Sequence, residues 1–235
     1  MTTDTSPTAP GVGTDHPVRP LHVEIWSDVA CPWCYIGRRR FAAALAQFPH
    51  REHVEVRWRS YQLSPEAPVG SDRTEAQMLA ETKGLPIDAV LEMFAHVTEV
   101  AASVGLTYRF DTVRPANTFD AHRVTHLARR HGPDVADAMV EALMSAHFER
   151  GLAVDDHDVL VELAAGVGLD PDAVRTALAG RDGADEVLED LEEGRTVRVS
   201  GVPFFVLDRR FGVSGAQPTE LFAEALRRAW SAVDR

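Results

Sequence analysis

Hydrophobic and polar positions follow two different periods along this chain. In residues 21–27, Val23 and Ile25 fall on one side, which is the two-residue period of a half-buried strand. Beyond Pro32 the spacing becomes helical, with Phe41 and Phe48 on one stripe. The same patterns predict strands at 21–27, 53–60, 204–207 and 211–214, and helices at 33–48 and 219–232.

The long stretch between the two pairs of strands has almost entirely helical periodicity. Gly84, Gly105, Gly132 and Gly151 each follow a periodic segment, and glycine is common just past the end of a helix. The segments predict helices at 74–83, 87–104, 118–131, 135–150, 156–165, 171–179 and 184–195. The simplest arrangement is one sheet interrupted by a helical insertion.

This arrangement predicts an α/β fold with three parts. Residues 21–62 and 199–235 form the core that contains the sheet, and residues 63–198 form an inserted all-helical domain. Residues 1–20 are rich in Thr, Pro and Gly and lack a basic start followed by an apolar stretch. We expect them to be a disordered tail rather than a secretory signal.

Composition and charge narrow the classes of function. The chain has 235 residues, of which 45% are hydrophobic and 26% charged, enough apolar material for a core. Its net charge is -12, with no block of basic residues, so binding to nucleic acid or to an anionic membrane is not expected. No apolar run approaches the roughly 20 residues of a membrane span. We expect a cytoplasmic protein.

The two cysteines of the chain are the most informative residues. They stand together as Cys31-Pro32-Trp33-Cys34, and there is no third cysteine to pair with either. In a reducing compartment such a dithiol is more often used in chemistry than as a structural link. A strand, a CxxC turn, a helix and a second strand are the opening of a thioredoxin-like fold. The pattern therefore indicates thiol–disulfide exchange.

The position of each cysteine on the predicted helix suggests its role. A thiolate is the attacking species, and at a helix N-terminus in a CxxC motif the pKa of a cysteine falls to roughly 3.5–7.5. Cys31 caps the helix, so we assign it as the nucleophile. Cys34 lies within the first turn and is assigned as the resolving thiol, which releases the partner from the mixed disulfide.

Other interpretations of the CxxC motif remain open at this stage. A structural zinc site would need two further ligands, and His122 and His126 stand four residues apart on a predicted helix. Such a pair is more often a partly exposed helix face, so we predict no metal and no cofactor. A surface dithiol that senses redox state without catalysis is a further alternative.

Two acidic residues precede the cysteines. Glu24 lies in the first strand and Asp28 three residues before Cys31, and either could relay the proton of Cys34 if it is partly buried. The competing interpretation makes Glu24 a solvated strand residue and Asp28 a turn residue or a charge at the helix N-terminus.

A second motif, Gly201-Val202-Pro203, stands directly before a predicted strand. Proline at the first position of a strand donates nothing to the ladder. In thioredoxin-like folds a cis proline faces the CxxC turn, and a cis X–Pro bond costs only about 0.5–1 kcal/mol. The Val202 backbone would then pair with an extended substrate and place its sulfur over Cys31.

Four ordered motifs resemble the DsbA-like branch of the thioredoxin fold, and within it the FrnE-like proteins. They are Ser27–Gly37, Asn117–Arg123, Gly201–Phe205 and Val213–Pro218. The resemblance implies a thioredoxin core with an inserted helical domain, a redox pair at Cys31 and Cys34, and a cis proline at Pro203.

The resemblance also implies substrate contacts. It places Asn117 and His122 on the helical domain facing the cleft, where they would bind substrate together with Trp33 and Val202. The alternative is that Asn117 is a helix N-terminal residue and His122 a packed or exposed helix side chain.

We therefore predict a protein-disulfide oxidoreductase whose partners are protein or small-molecule thiols and disulfides. The same superfamily includes kappa-type glutathione transferases and 2-hydroxychromene-2-carboxylate isomerases, which act on small aromatic compounds with bound glutathione. These relatives carry serine at the position that matches Cys31, and Gln217-Pro218 occupies the loop where they hold the peptide thiol. Both differences argue against this function, and a thiol-dependent isomerase or transferase acting on a small aromatic or polyketide-like substrate remains the alternative prediction.

Overall fold

A computed structural model describes residues 19–232, which form a four-stranded sheet with helices on both sides. The strands are β1 (Leu21–Ser27), β2 (Val54–Ser60), β3 (Phe204–Leu207) and β4 (Phe211–Ser214). The helices are α1 (Pro32–Ala46), α2 (Glu75–Lys83), α3 (Ile87–Ala102), α4 (Phe119–Arg129), α5 (Pro133–Phe148), α6 (His157–Gly166), α7 (Pro171–Ala179), α8 (Ala184–Thr196) and α9 (Thr219–Ser231). The predicted tail lies almost wholly outside the described residues.

The sheet is continuous across the helical insertion, as the sequence predicted. Its strand order is β2-β1-β3-β4, with β1 parallel to β2 and antiparallel to β3. Ile25 pairs with Phe205 and Trp26 with Phe204. This register brings the residues just before β3 to the end of β1 from which the chain enters the CxxC turn.

Helix α1 begins at Pro32, one residue earlier than predicted. Cys31 is its N-cap in an extended conformation, with φ -95° and ψ 113°. Proline suits the next position, because its φ is preset and its missing N–H would have no partner in the first turn. The helix ends at Ala46, two residues short of the prediction.

One hydrophobic core joins the sheet to both terminal helices and to part of the insertion. Phe41 of α1 packs against Phe205 of β3 and Phe222 of α9, with ring centroids 5.4 and 5.7 Å apart. Val140 and Phe148 of α5 belong to the same core. A second core lies within the insertion and includes Leu143, Leu160 and Leu178.

The insertion therefore has a core of its own, but α5 also packs on the sheet core. No helix among residues 19–232 is long and apolar enough to cross a membrane.

Candidate active site

The CxxC turn connects β1 to α1 and holds both thiols out of bulk solvent. Cys31 is 4% exposed and Cys34 1% exposed, and the structure holds both as free thiols. The backbone N–H of Cys34 donates to the Cys31 carbonyl, at 3.0 Å. Cys34 is thus the inner residue of the pair, in the first turn of the helix that Cys31 caps.

Burial raises the pKa of Cys34 well above its ordinary value. Contact with the Cys31 sulfur raises that pKa further. The Ser27 side chain and the Asp28 backbone act in the opposite direction and lower the pKa of Cys34. Cys34 must therefore lose a strongly held proton before it can attack a disulfide.

The loop before β3 faces the CxxC turn. The Val202–Pro203 peptide bond is cis, as the resemblance implied. The Cys31 Sγ–H donates to the Val202 carbonyl, with 3.6 Å between sulfur and oxygen. The Pro203 carbonyl accepts from Gly215 N–H at 2.8 Å, which ties this loop to the end of β4.

Gly37 sets how closely α1 approaches the proline loop. A Cβ atom at this position would lie 2.8 Å from Cγ of Pro203, and a proline ring has little room to turn aside. We expect Gly37→Ala to lower the free energy of unfolding by about 1–3 kcal/mol through overpacking, and to slow disulfide exchange. Denaturant unfolding and an exchange assay measure the two effects.

Gly166, at the end of α6, provides the matched control for this prediction. It has no atom within 4 Å of an added Cβ and a φ outside the left-handed region. Gly166→Ala should be neutral or should stabilise by about 0.5–1 kcal/mol. An equal effect of the two substitutions would show that close approach to Pro203 does not matter.

Asp28 is buried and has neutral and basic hydrogen-bonding partners. Its Oδ2 accepts from Leu63 N–H at 2.7 Å, and its Oδ1 lies 3.5 Å from Nε2 of His122. Burial alone would raise the pKa of Asp28, but contacts with His122, Leu63 and Thr118 lower it below the ordinary value. Asp28 is a turn residue, as one interpretation held, and it is 99% buried close to the CxxC turn.

His122 and Asn117 hold the chain segment that follows β2. The Nε2 of His122 lies 2.8 Å from the Tyr61 carbonyl, and the side chain is packed rather than exposed. The amide of Asn117 donates to the Ala67 carbonyl at 2.9 Å and accepts from Phe119 N–H at 3.1 Å. Asn117 therefore also serves the start of α4, and its contact with substrate stays a prediction.

Glu24 is not the solvated strand residue that the competing interpretation described. It is 7% exposed, forms an ion pair with Arg59, and accepts from Arg209 at 2.8 Å. The Glu24 carboxylate thus bonds the guanidinium groups of both arginines. The structure therefore gives it a charge-pairing role and leaves a proton-relay role as a prediction.

His126 is also not on an exposed face. It is 3% exposed, and its Nε2 lies 2.9 Å from Ser60 Oγ and 3.1 Å from Asp190. Among residues 19–232, no group of three or more His, Cys, Asp or Glu side chains is placed to hold a metal ion.

Two aromatic residues border the CxxC turn. Trp33, between the cysteines, is 38% exposed and lies 6.3 Å from the His96 ring. Tyr108 donates from its hydroxyl to the Pro32 carbonyl at 2.6 Å, and burial beside the two cysteines raises its pKa. The sequence analysis missed Tyr108, because it follows α3 in a segment without a periodic pattern.

His147 is a further buried group that the sequence analysis missed. It is 1% exposed, neither ring nitrogen has a partner among the described residues, and burial lowers its pKa to about 4. In the unfolded chain the imidazole takes up a proton near pH 6.5, whereas the buried ring stays neutral until about pH 4. The stability of the fold is therefore fully present above pH 6.5 and falls as pH drops towards 4. The total loss is about 3 kcal/mol.

We therefore expect His147→Leu to reduce the loss of stability between pH 6.5 and pH 4. Urea unfolding at several pH values measures this loss of stability. His131→Leu, at an exposed position, is the control and should keep the acid sensitivity of the parent. An unchanged slope in His147→Leu would contradict the assignment.

The match to known proteins agrees with this geometry. A family model described as a DSBA-like thioredoxin domain matches residues 22–227, so the chain belongs to the DsbA-like thioredoxin family. Similar solved structures include a probable DsbA oxidoreductase from Streptomyces coelicolor, 42% identical over 92% of each chain, with a TM-score of 0.84.

Two more distant structures share the fold. One is the cytosolic disulfide reductase DsbM from Pseudomonas aeruginosa, with GSH, at a TM-score of 0.62 and 19% identity over 88% of this chain and 98% of that one. The other is a 2-hydroxychromene-2-carboxylate isomerase, with a TM-score of 0.64 and 17% identity over 88% of this chain and 95% of that one. The predicted fold class is thereby confirmed.

Proposed function

We propose that this protein is a dithiol–disulfide oxidoreductase in which Cys31 attacks and Cys34 resolves. The observation that carries the proposal is the seat of the Cys31 sulfur. Cys31 is the N-cap residue of α1, its sulfur lies 3.6 Å from the Val202 carbonyl beside cis Pro203, and Cys34 stands in the first turn of the same helix.

The loop at Val202 provides a seat for an extended substrate. Among the described residues, the Val202 carbonyl accepts a hydrogen bond only from the Cys31 thiol. A substrate N–H can therefore replace that contact as the substrate sulfur approaches Cys31. Trp33 offers an exposed aromatic surface next to the sulfur. The partners we propose are thiols and disulfides of proteins or small molecules, without a bound cofactor.

A reducing compartment such as the cytoplasm suits this chemistry. The chain has no cysteine outside the redox pair and therefore no structural disulfide. DsbM, which shares the fold, is described as a cytosolic disulfide reductase.

The second candidate is a thiol-dependent isomerase, favoured by the shared fold with 2-hydroxychromene-2-carboxylate isomerase. Two assays on the purified protein separate the candidates: reduction of insulin disulfides with dithiothreitol as donor, and glutathione-dependent isomerisation of 2-hydroxychromene-2-carboxylate. We expect turnover in the first and none in the second. The reverse result would replace our proposal with the isomerase.

A further inference from the structure

A cleft of about 690 Å³ lies beside β2, which is an edge strand of the sheet. Val56, Arg57 and Trp58 of this strand line it. Arg129, the last residue of α4, and Pro133, the first residue of α5, line it as well. The lining includes neither cysteine and no residue of the proline loop, so the cleft is separate from the CxxC turn.

The size and the lining of this cleft suit a small molecule. Sites for small molecules have volumes of roughly 300–1,000 Å³ and combine apolar walls with a few polar groups. Val56, Trp58, Pro133 and Ala136 supply apolar surface here. A ligand with an apolar part would cover that surface, whereas a bare inorganic ion would leave it in contact with water.

The cleft has an excess of positive charge, although the net charge of the chain is -12. Five arginines line it against three acids, and neighbours already bond each acid. Glu24 bonds two of the arginines. The Glu55 carboxylate lies 3.2 Å from Nδ1 of His22. Asp208 accepts from the His22 backbone N–H at 2.9 Å.

Arg57 and Arg129 are the arginines of the cleft that no acid pairs with. Within residues 19–232 neither forms a hydrogen bond or an ion pair, and Nη1 of Arg129 is buried without an acceptor. Burying an N–H without an acceptor costs free energy, and the cost is larger on a charged group. Partial burial lowers the pKa of Arg57, and the charges of Arg59 and Arg129 lower it further. An anion in the cleft would offset both the missing acceptor and the repulsion.

We propose that this cleft binds a small organic anion with an apolar body, whose anionic group pairs with Arg57 and Arg129. Arginine suits this role because its planar guanidinium group donates two parallel hydrogen bonds to a carboxylate or a phosphate. The apolar body packs against Trp58, Val56 and Pro133. The site goes beyond the proposed function, because it shares no residue with the cysteine pair or the proline loop.

Equilibrium dialysis of the full-length reduced protein tests the site with four probes. 2-Naphthoate and 2-naphthyl phosphate carry the two kinds of anionic group on the same apolar rings. Naphthalene-2-methanol has the rings without the charge, and inorganic phosphate has the charge without the rings. We expect at least one naphthyl anion to bind, and the alcohol and inorganic phosphate to bind at least about tenfold more weakly than that anion. The tighter of the two anions identifies the anionic group.

Arg57→Gln and Arg129→Gln test the two cations one at a time. Each should weaken binding of the tighter naphthyl anion at least about tenfold, because each removes a charge-assisted pair. Both variants should unfold at the same denaturant concentration as the parent, since neither arginine is bonded within residues 19–232. Arg175→Gln is the matched control, because Arg175 is exposed, pairs with Asp172 and lies outside the cleft. It should bind the probe as the parent does.

Trp33→Ala separates this cleft from the CxxC turn. Trp33 is the exposed aromatic residue between the two cysteines, so its removal should leave binding of the probe unchanged. Loss of binding in Trp33→Ala, or equal binding by the parent and both arginine variants, would overturn the proposal. So would affinity for the alcohol or for inorganic phosphate equal to that for the naphthyl anions, or no binding of either anion at millimolar concentration. None of these results bears on disulfide exchange, which is measured separately.

Discussion

Cys31→Ser is expected to reduce disulfide exchange to the uncatalysed background, because a serine hydroxyl is a far weaker nucleophile than a thiolate and forms no disulfide. Cys34→Ser is expected to stop turnover at a later point. Cys31 still attacks in that variant, but nothing resolves the mixed disulfide, so a covalent adduct accumulates. The contrast between the two substitutions follows from the position of Cys31 at the cap of α1 and of Cys34 inside its first turn.

Intact-mass measurement after incubation with oxidised glutathione detects the adduct. The parent should show the internal disulfide, Cys34→Ser one stable glutathione adduct, and Cys31→Ser neither. A stable adduct in Cys31→Ser would reverse the assigned roles. Glutathione-dependent isomerisation that survives in Cys31→Ser would support the alternative function.

Asp190→Ala is expected to destabilise the fold by about 3–5 kcal/mol, because it removes one buried carboxylate partner of Arg59 and leaves the buried Ser60 N–H without its acceptor. Asp190 is 1% exposed and accepts from Arg59 at 2.6 Å and from Ser60 N–H at 3.0 Å. It joins α8 to β2, so its loss removes buried hydrogen bonds between the insertion and the sheet, while Arg59 keeps its ion pair with Glu24. Denaturant unfolding at neutral pH measures the change.

The pH dependence of this effect is fixed by the same contacts. Burial alone would raise the pKa of Asp190, but hydrogen bonds from His126, Ser60 and Arg59 lower it from 3.8 to about 2. The carboxylate therefore contributes about 2 kcal/mol above pH 4, which is lost as pH falls from 4 towards 2. The difference between parent and Asp190→Ala should shrink across that range.

An exposed aspartate on the same insertion is the control. Asp182 pairs with Arg130, and both side chains are about half exposed. Asp182→Ala should cost no more than about 1 kcal/mol. A cost for Asp190→Ala as small as that of Asp182→Ala would contradict a buried charge network.

Local signals in the sequence predicted most of the elements. Strands β3 and β4 and helix α7 have the predicted boundaries, since α7 begins with an aspartate cap and a proline. Helix α5 begins at Pro133, two residues before the prediction, because the proline preference that was applied at Pro32 was not applied there. The paired cysteines and the proline loop were recognisable because each has a local motif.

Contacts between distant residues could not be predicted. Glu24 is separated from Arg59 by 35 residues and from Arg209 by 185, so its sequence position does not reveal that both arginines neutralise it. The burial of His126 depends in the same way on Asp190, on another helix. Ser27 is an ordinary serine at the end of a strand until the fold buries its hydroxyl at the edge of a small cavity.

Equilibration of the protein in glutathione redox buffers, followed by acid quench, alkylation and mass spectrometry, tests the central claim most directly. The account predicts that Cys31 and Cys34 interconvert reversibly between dithiol and internal disulfide along a single two-electron curve. A pair that stays reduced in fully oxidising buffer, or that binds glutathione without ever forming the internal disulfide, would contradict it.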